Sequence, residues 1–182
     1  MISRAQVLFI GGRAGVGKTS VAAELHAQLA ADRIRHCLIE GDNLDQAWPT
    51  PWERGLQLAE LNLAAMWGTY QAAGYTRMIY TNTAAVRPAV LDNLLAALGG
   101  DPVVHAVLLT AADATVAARL DRREIGSALD AHLDRSQRMA PVLEQSAPDW
   151  VHRINTDGHT VTETAQSIKS HLGWAPLAVD LR

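Results

Sequence analysis

With 182 residues, 48% of them hydrophobic, the chain can bury one sizeable core and is too short for two comfortable domains. A net charge of −3, with arginines spread rather than blocked, excludes a surface built for nucleic acid. A single cysteine, Cys37, the lack of a leader-like basic and apolar start, and the lack of an apolar run of membrane-spanning length predict a cytoplasmic protein without disulfides or membrane contact.

The first predicted element, Val7 to Ile10, is continuously apolar, as a strand covered on both faces of a parallel sheet is. It runs into GGRAGVGKTS, Gly11 to Ser20, where Gly12, Gly17, Lys18 and Thr19 fit G-x-x-x-x-G-K-[ST]. A helical pattern from about Gly17 to Ala31 follows, with Val21, Leu25 and Leu29 inward. Strand before and helix after are the context the motif requires. The glycines allow the N–H groups of Gly12, Arg13, Ala14, Gly15, Val16 and Gly17 to line one concavity, and the helix adds the positive end of its dipole, so a polyphosphate fits. Lys18 reaches the β- and γ-phosphates, the Thr19 hydroxyl is placed to ligate Mg²⁺, and Ser20 completes the cradle.

His36 to Ile39 reads as the second strand, ending in Glu40-Gly41-Asp42-Asn43 on the same sheet edge as the loop. Ligands of open α/β sheets bind outside the carboxyl ends of the strands, so Asp42 faces the transferred group, to accept a hydroxyl proton or to hold Mg²⁺ through water. Asp42 and Asn43 also suit a plain turn. In the next loop, Thr50-Pro51-Trp52-Glu53 joins a capping box to a Pro at the first helical position and predicts a long helix from there to Gly74. Leu58, Leu61, Ala65 and Tyr70 lie near one face of it, with Leu63, Met66 and Trp67 alongside. Trp48, Trp52 and Arg54 suggest an aromatic acceptor pocket, and core packing is the alternative that suits Trp67 better.

A third strand, Arg77 to Tyr80, ends in Thr81-Asn82-Thr83 with no Walker-B Asp, which shifts the acidic duty to Asp42 and leaves Thr81, Asn82 and Thr83 as neutral groups for an acceptor. Arg87-Pro88 opens a helix with Leu91, Leu94, Leu95 and Leu98 at core spacing, stopped by Gly99-Gly100; Arg87 suits a polar or anionic acceptor, or solvent. Val103 to Leu109 is the fourth strand, with His105 as a core histidine, and Thr110 to Asp113 reads as a capping box for the next helix. That helix ends in Arg119, Arg122 and Arg123, suited to a cover over phosphates or to the helix dipole alone. The cover extends to about residue 138, through a capping box at Ser127 to Asp130 and through Arg135 and Arg138, before Pro141 kinks or restarts the helix and Pro148 ends it. A fifth strand, Val151 to Asn155, leads to Thr156-Asp157-Gly158. Thr160 to Glu163 caps a last helix with Val161, Ala165, Ile168 and Leu172 inward, and Trp174 to Arg182 reads as a loosely packed tail after a kinase-sized domain over 1–174.

Taken together these features resemble the P-loop kinases that phosphorylate small molecules: shikimate, gluconate and adenylylsulfate kinases and chloramphenicol phosphotransferase. The element order of nearly the whole chain carries the resemblance, with the loop at 12–19 as its specific motif. It implies an α/β P-loop NTPase fold, with a five-stranded parallel sheet of order 2-3-1-4-5, helices on both faces and a short arginine-bearing lid. It implies transfer from ATP, with Mg²⁺, to a hydroxyl group of a small molecule. The family's acidic residue acting on that hydroxyl falls on Asp42, its lid arginine on Arg119 or Arg123, and its adenine border on Thr156, Asp157 and Gly158. Glu40 to Leu44 looks most like adenylylsulfate kinase, whereas the aromatic pocket and neutral third-strand end look closer to chloramphenicol phosphotransferase. A nucleoside or nucleotide kinase is a second expectation, although a nucleoside monophosphate calls for more arginines than Arg54, Arg77 and Arg87 between 44 and 90. A nucleotide-dependent binding or sequestering protein is a third; Asn155-Thr156-Asp157-Gly158 lacks the lysine of the guanine motif, against a GTPase. Monomer and homodimer both fit.

Overall fold

The computed structural model describes residues 4–123 and 129–176, with the side chains of 123 and 129–132 outside that description. Five strands, β1 (Gln6–Gly11), β2 (Cys37–Glu40), β3 (Arg77–Thr81), β4 (Val103–Thr110) and β5 (His152–Asn155), form one all-parallel sheet in the order β2-β3-β1-β4-β5. The expected order is therefore the observed one.

Why the strands are apolar throughout follows from the two layers that cover them. Val7, Phe9, Ile39, Met78, Tyr80 and Leu108 face α2 (Leu58–Ala72), α3 (Pro88–Leu98) and α5 (Leu129–Ser146), meeting Leu63, Trp67, Leu91, Leu94 and Leu143. Their neighbours Leu8, Ile10, Ile79, Val107 and Leu109 face the other way, onto α1 (Lys18–Ala31), α4 (Asp113–Arg123) and α6 (Val161–Leu172). Each such side chain contributes about 1.5–3 kcal/mol by leaving water. Phe9 and Tyr80 meet edge to face at 5.6 Å. Cys37 is a buried part of the first layer, its thiol pushed up to about 12 by that burial, so it is an inert hydrophobe. Among the described residues no helix is long and apolar enough to cross a membrane.

Several boundaries differ from those the sequence suggests. The helix expected from Pro51 is only a single 3₁₀ turn, Trp52–Arg54, because Gly55 then adopts a left-handed φ of 71°; α2 begins three residues later, at Leu58. Its core face is Leu63 and Trp67, while Leu61 and Ala65 are exposed. Pro141 does not restart α5, which runs through it: Pro141 and Gln137, whose carbonyl loses its donor, are both exposed, and water can serve that oxygen. Trp174 is not part of a loose tail, since it is buried in the second layer and stacks with Arg77, which also donates to the Ala175 carbonyl at 2.7 Å. Residues 177–182 of the expected tail, and the expected cap at Ser127, lie outside the described residues.

Candidate active site

β1 delivers Gly11 to the carboxyl edge of the sheet, and the chain turns through Gly12 to Gly17 before α1 begins at Lys18. Gly12 holds φ at 143°, and a Cβ there would stand 2.7 Å from the Leu109 carbonyl oxygen, so conformation and space both require glycine. Gly15, at φ 84°, presses as closely on Val116 of α4. From behind, the Ser136 hydroxyl of α5 donates to the Ala14 carbonyl at 2.9 Å. Arg13 is buried, donates to the Ala111 carbonyl at 2.7 Å and pairs with Asp113 at 2.5 Å. Its side chain thus braces the loop against the β4–α4 junction and does not line the cavity over Lys18.

Lys18 lies across the loop, 8% exposed, its ammonium donating to the Gly12 carbonyl at 2.8 Å and to the Thr83 hydroxyl at 3.3 Å. A cavity of about 380 Å³ opens over it, lined by Ala14 to Ser20 and, around the rim, by Asp42, Thr83, Arg119, Thr156 and His159. Asp42 sits in the 3₁₀ turn Gly41–Asn43 that ends β2. Its carboxylate accepts from the Asn82 amide at 2.8 Å, while the Asn82 side-chain oxygen accepts from the Ala84 N–H at 2.9 Å. The β3 end is tied back to the loop by Asn82 N–H to the Ile10 carbonyl and Gly12 N–H to the Thr83 carbonyl, both at 3.2 Å. One rim of the cavity therefore carries a cation and backbone N–H groups, and the facing rim a carboxylate oriented by an amide.

No protein-family model and no curated protein matches the chain. Solved structures do. A sugar kinase from Janibacter sp. HTCC2649 superposes with a TM-score of 0.67 at 23% identity, over 94% of this chain and 96% of that one. The tunicamycin resistance protein of Deinococcus radiodurans gives 0.63 at 21%, over 96% and 100%. The APS kinase of Mycobacterium tuberculosis, solved with AMPPNP and APS, gives 0.59 at 16%, over 92% and 96%. The fold is that of the P-loop small-molecule kinases.

Within this P-loop kinase fold Arg119 of α4 donates to the Val16 carbonyl at 3.2 Å and to the Thr156 hydroxyl and carbonyl at 2.9 and 3.2 Å. It joins the loop to the end of β5 and is held there. Arg123 closes α4 with its side chain outside the described residues; Arg122, Arg135 and Arg138 are exposed and line no part of the cavity. Thr156 is buried and lines the cavity, but Asp157 and Gly158 do not. Asp157 instead caps α4: it accepts from the Ala112 N–H at 2.8 Å, and the Thr115 hydroxyl, then that N–H, hold its carboxyl below the usual carboxylate range. The capping box expected from Thr110 does not form, because Thr110 stays in β4 and α4 starts at Asp113. The box at Thr160 and Glu163 forms in full.

On the acceptor side Thr81 is buried as the last residue of β3, Asn82 holds Asp42, and Arg87 is half-buried beside α3. Trp48 and Trp52 stand 91% and 67% exposed, and Arg54 is exposed; none of the three lines the cavity. His159, Val161 and Thr164 do line it; Val161, expected to face inward from the last helix, is exposed at the cavity, and no sequence signal marked His159 or Thr164.

Proposed function

We propose that the protein is a phosphotransferase that uses ATP and Mg²⁺ to phosphorylate a hydroxyl group of a small molecule. The observation that carries this reading is the placement of Lys18 and Asp42 on facing rims of one cavity above a glycine-built phosphate loop. Loop N–H groups and Lys18 hold the β- and γ-phosphates, and Lys18 exchanges its carbonyl partners for phosphate oxygens. Thr19 and, through water, Asp42 would hold Mg²⁺, which supplies charge neutralisation at the phosphates when bound. Among the described residues no group of three or more His, Cys, Asp or Glu is placed to hold a metal, so the phosphates themselves would complete the ion's shell.

Asp42 takes the acceptor's proton as the acceptor oxygen bonds the γ-phosphorus; the bond from that phosphorus to the β–γ bridging oxygen breaks, and its electron pair leaves with ADP. Arg119, at the rim of the cavity, contacts ATP, and Thr156 borders the base. The acceptor approaches from the side of Asp42, whose carboxylate Asn82 orients at the ends of β2 and β3.

The test is incubation with MgATP and a panel of hydroxylated metabolites, nucleosides and antibiotics, read as ADP release and a phosphate-sized mass gain. Transfer to one acceptor, abolished in Lys18→Ala and reduced about 10²- to 10⁴-fold in Asp42→Asn, is expected. Tight binding of a panel member without ADP would instead indicate sequestration. Unimpaired transfer in Asp42→Asn would remove Asp42 as the base.

A further inference from the structure

Helix α2 has two apolar faces, and the core takes only one of them. Leu63 and Trp67 enter the first layer. On the other side Leu58, Leu61, Ala65, Gly68 and Ala72 recur at alternating spacings of three and four residues, as the a and d positions of a heptad pattern do, and all but the half-buried Leu58 are exposed. Gly68 has no atom within 4 Å of where its Cβ would be, so this face is open. The positions flanking the seam are Asn62, Ala64, Thr69 and Gln71, and Glu60, away from it, is the one charged residue of the helix. A surface helix ordinarily sets charged side chains against water; this one presents a second seam instead.

Trp52 and Leu56, 67% and 49% exposed, lead into the seam, and Leu61 on it is 65% exposed. With the smaller residues they offer roughly 600 Å² per copy, the lower end of what a stable interface buries on each side and the upper end of the apolar patch a monomer exposes. The shape of the seam selects its occupant. Its first half is large, Leu58 and Leu61, and its second half is small, Ala65, Gly68 and Ala72. A second copy laid antiparallel brings each leucine onto an alanine or glycine, so one spacing closes the whole length. A parallel copy sets leucine on leucine at one end and small on small at the other, and the helices splay. Charge agrees: the antiparallel copy brings the end that carries Glu53 and Glu60 towards the end where the Arg35 guanidinium lies beside Gly74 and 5.9 Å from the Tyr75 ring centre.

We propose that the protein pairs with a second copy of itself through the outer face of α2, with the two helices antiparallel about a twofold axis near Ala65. The interface is isologous, each copy giving its leucines to the small half of the other. It also reaches the cavity, because Asn62 on that face donates its amide to the Leu44 carbonyl at 2.6 Å, just after Asp42, so pairing fastens the stretch that carries the carboxylate. The pairing stands independently of what the cavity transfers.

The experiment is sedimentation equilibrium of the full chain, without ligand, from about 1 to 100 μM, a range that spans the affinities expected of so small an interface. The wild type is expected to approach twice the chain mass of 19.6 kDa. Ala65→Arg sets two guanidinium groups near the axis and should raise the dissociation constant at least about 100-fold, and Leu61→Lys, at a side chain already exposed, should do the same. Val142→Arg, on an exposed position of α5, should leave the mass unchanged. Ala72→Leu puts a leucine where the second copy already brings one and should weaken pairing about tenfold. A cooperative melting transition in each variant shows that it is folded. A wild type that stays monomeric at 100 μM would overturn the proposal and leave the face to another partner. A dimer that survives both Ala65→Arg and Leu61→Lys would place the contact elsewhere, and pairing strengthened by Ala72→Leu would overturn the antiparallel arrangement.

Discussion

In the proposed reading the cavity has a phosphate wall and an acceptor wall, which share one sheet edge yet are fastened to different degrees. On the phosphate wall Gly12 and Gly15 are wedged against β4 and α4, Arg13 is held by Ala111 and Asp113, and Arg119 ties the loop to Thr156. From Asp42 to Gln57 the chain is mostly exposed, and Gly55 has no atom within 4 Å of where its Cβ would be. Under the proposed phosphotransferase reading the lesson is one of division: a rigid grip would serve the phosphates, whose shape never varies, and a loosely fastened surface would serve whatever receives them.

Substitutions that treat the two walls alike should break this comparison or sharpen it. Gly12→Ala should cost roughly 3 kcal/mol or more in denaturant unfolding, through its φ and the Leu109 contact, and should abolish ATP binding; near-native stability would mean the loop is not wedged as described. Asn82→Ala should lower kcat about tenfold by freeing Asp42, the worth of one oriented hydrogen bond, with KM for ATP little changed; an unaltered kcat would show that the carboxylate orients itself. Gly55→Ala should cost only about 1 kcal/mol, the left-handed backbone alone, because nothing stands in the way.

A pH effect should leave both walls aside. His36, His105 and His152 are held neutral below their ordinary range, in each case first by burial, with His171 adding to the last two and His26 and Arg77 to the first. The unfolded chain takes up their protons first, so this stability is present above about pH 6.5 and is lost as pH falls below it. The melting temperature should therefore be lower at pH 5.5 than at pH 7.5, and a flat profile would contradict the burial of these rings. Smallest of all, Trp48→Ala should change unfolding free energy by less than about 0.5 kcal/mol, whatever it does to acceptor affinity.

What was legible in the sequence was what is local or periodic. The phosphate-loop pattern lies in consecutive residues, so Gly12 to Thr19 announce it; apolar strands with helical spacing between them marked the elements, and the resemblance to P-loop kinases supplied the order 2-3-1-4-5 that the sheet has. What stayed hidden depends on partners far away along the chain. Asp157 looks like a turn residue beside a base until it is seen capping α4, and Arg119 looks like a mobile lid group until its bonds to Val16 and Thr156 appear. The start of α2 was misplaced because a sound capping box at Thr50 is overruled by Gly55 five residues on. His159 carries no motif, and only the folding of β5 back beside the loop brings it to the cavity.

The Asn82 amide is pinned in one orientation, since its oxygen is occupied by the Ala84 N–H and only its NH₂ is left to face Asp42. That makes two positions forty residues apart a single unit of inheritance. A descendant that keeps the carboxylate but replaces Asn82 needs another donor at the end of β3, and one that replaces Asp42 with a donor such as lysine would set two donors face to face. Across homologous chains these two positions should therefore change together or not at all, whereas Trp48 and Gly55 should drift freely of both.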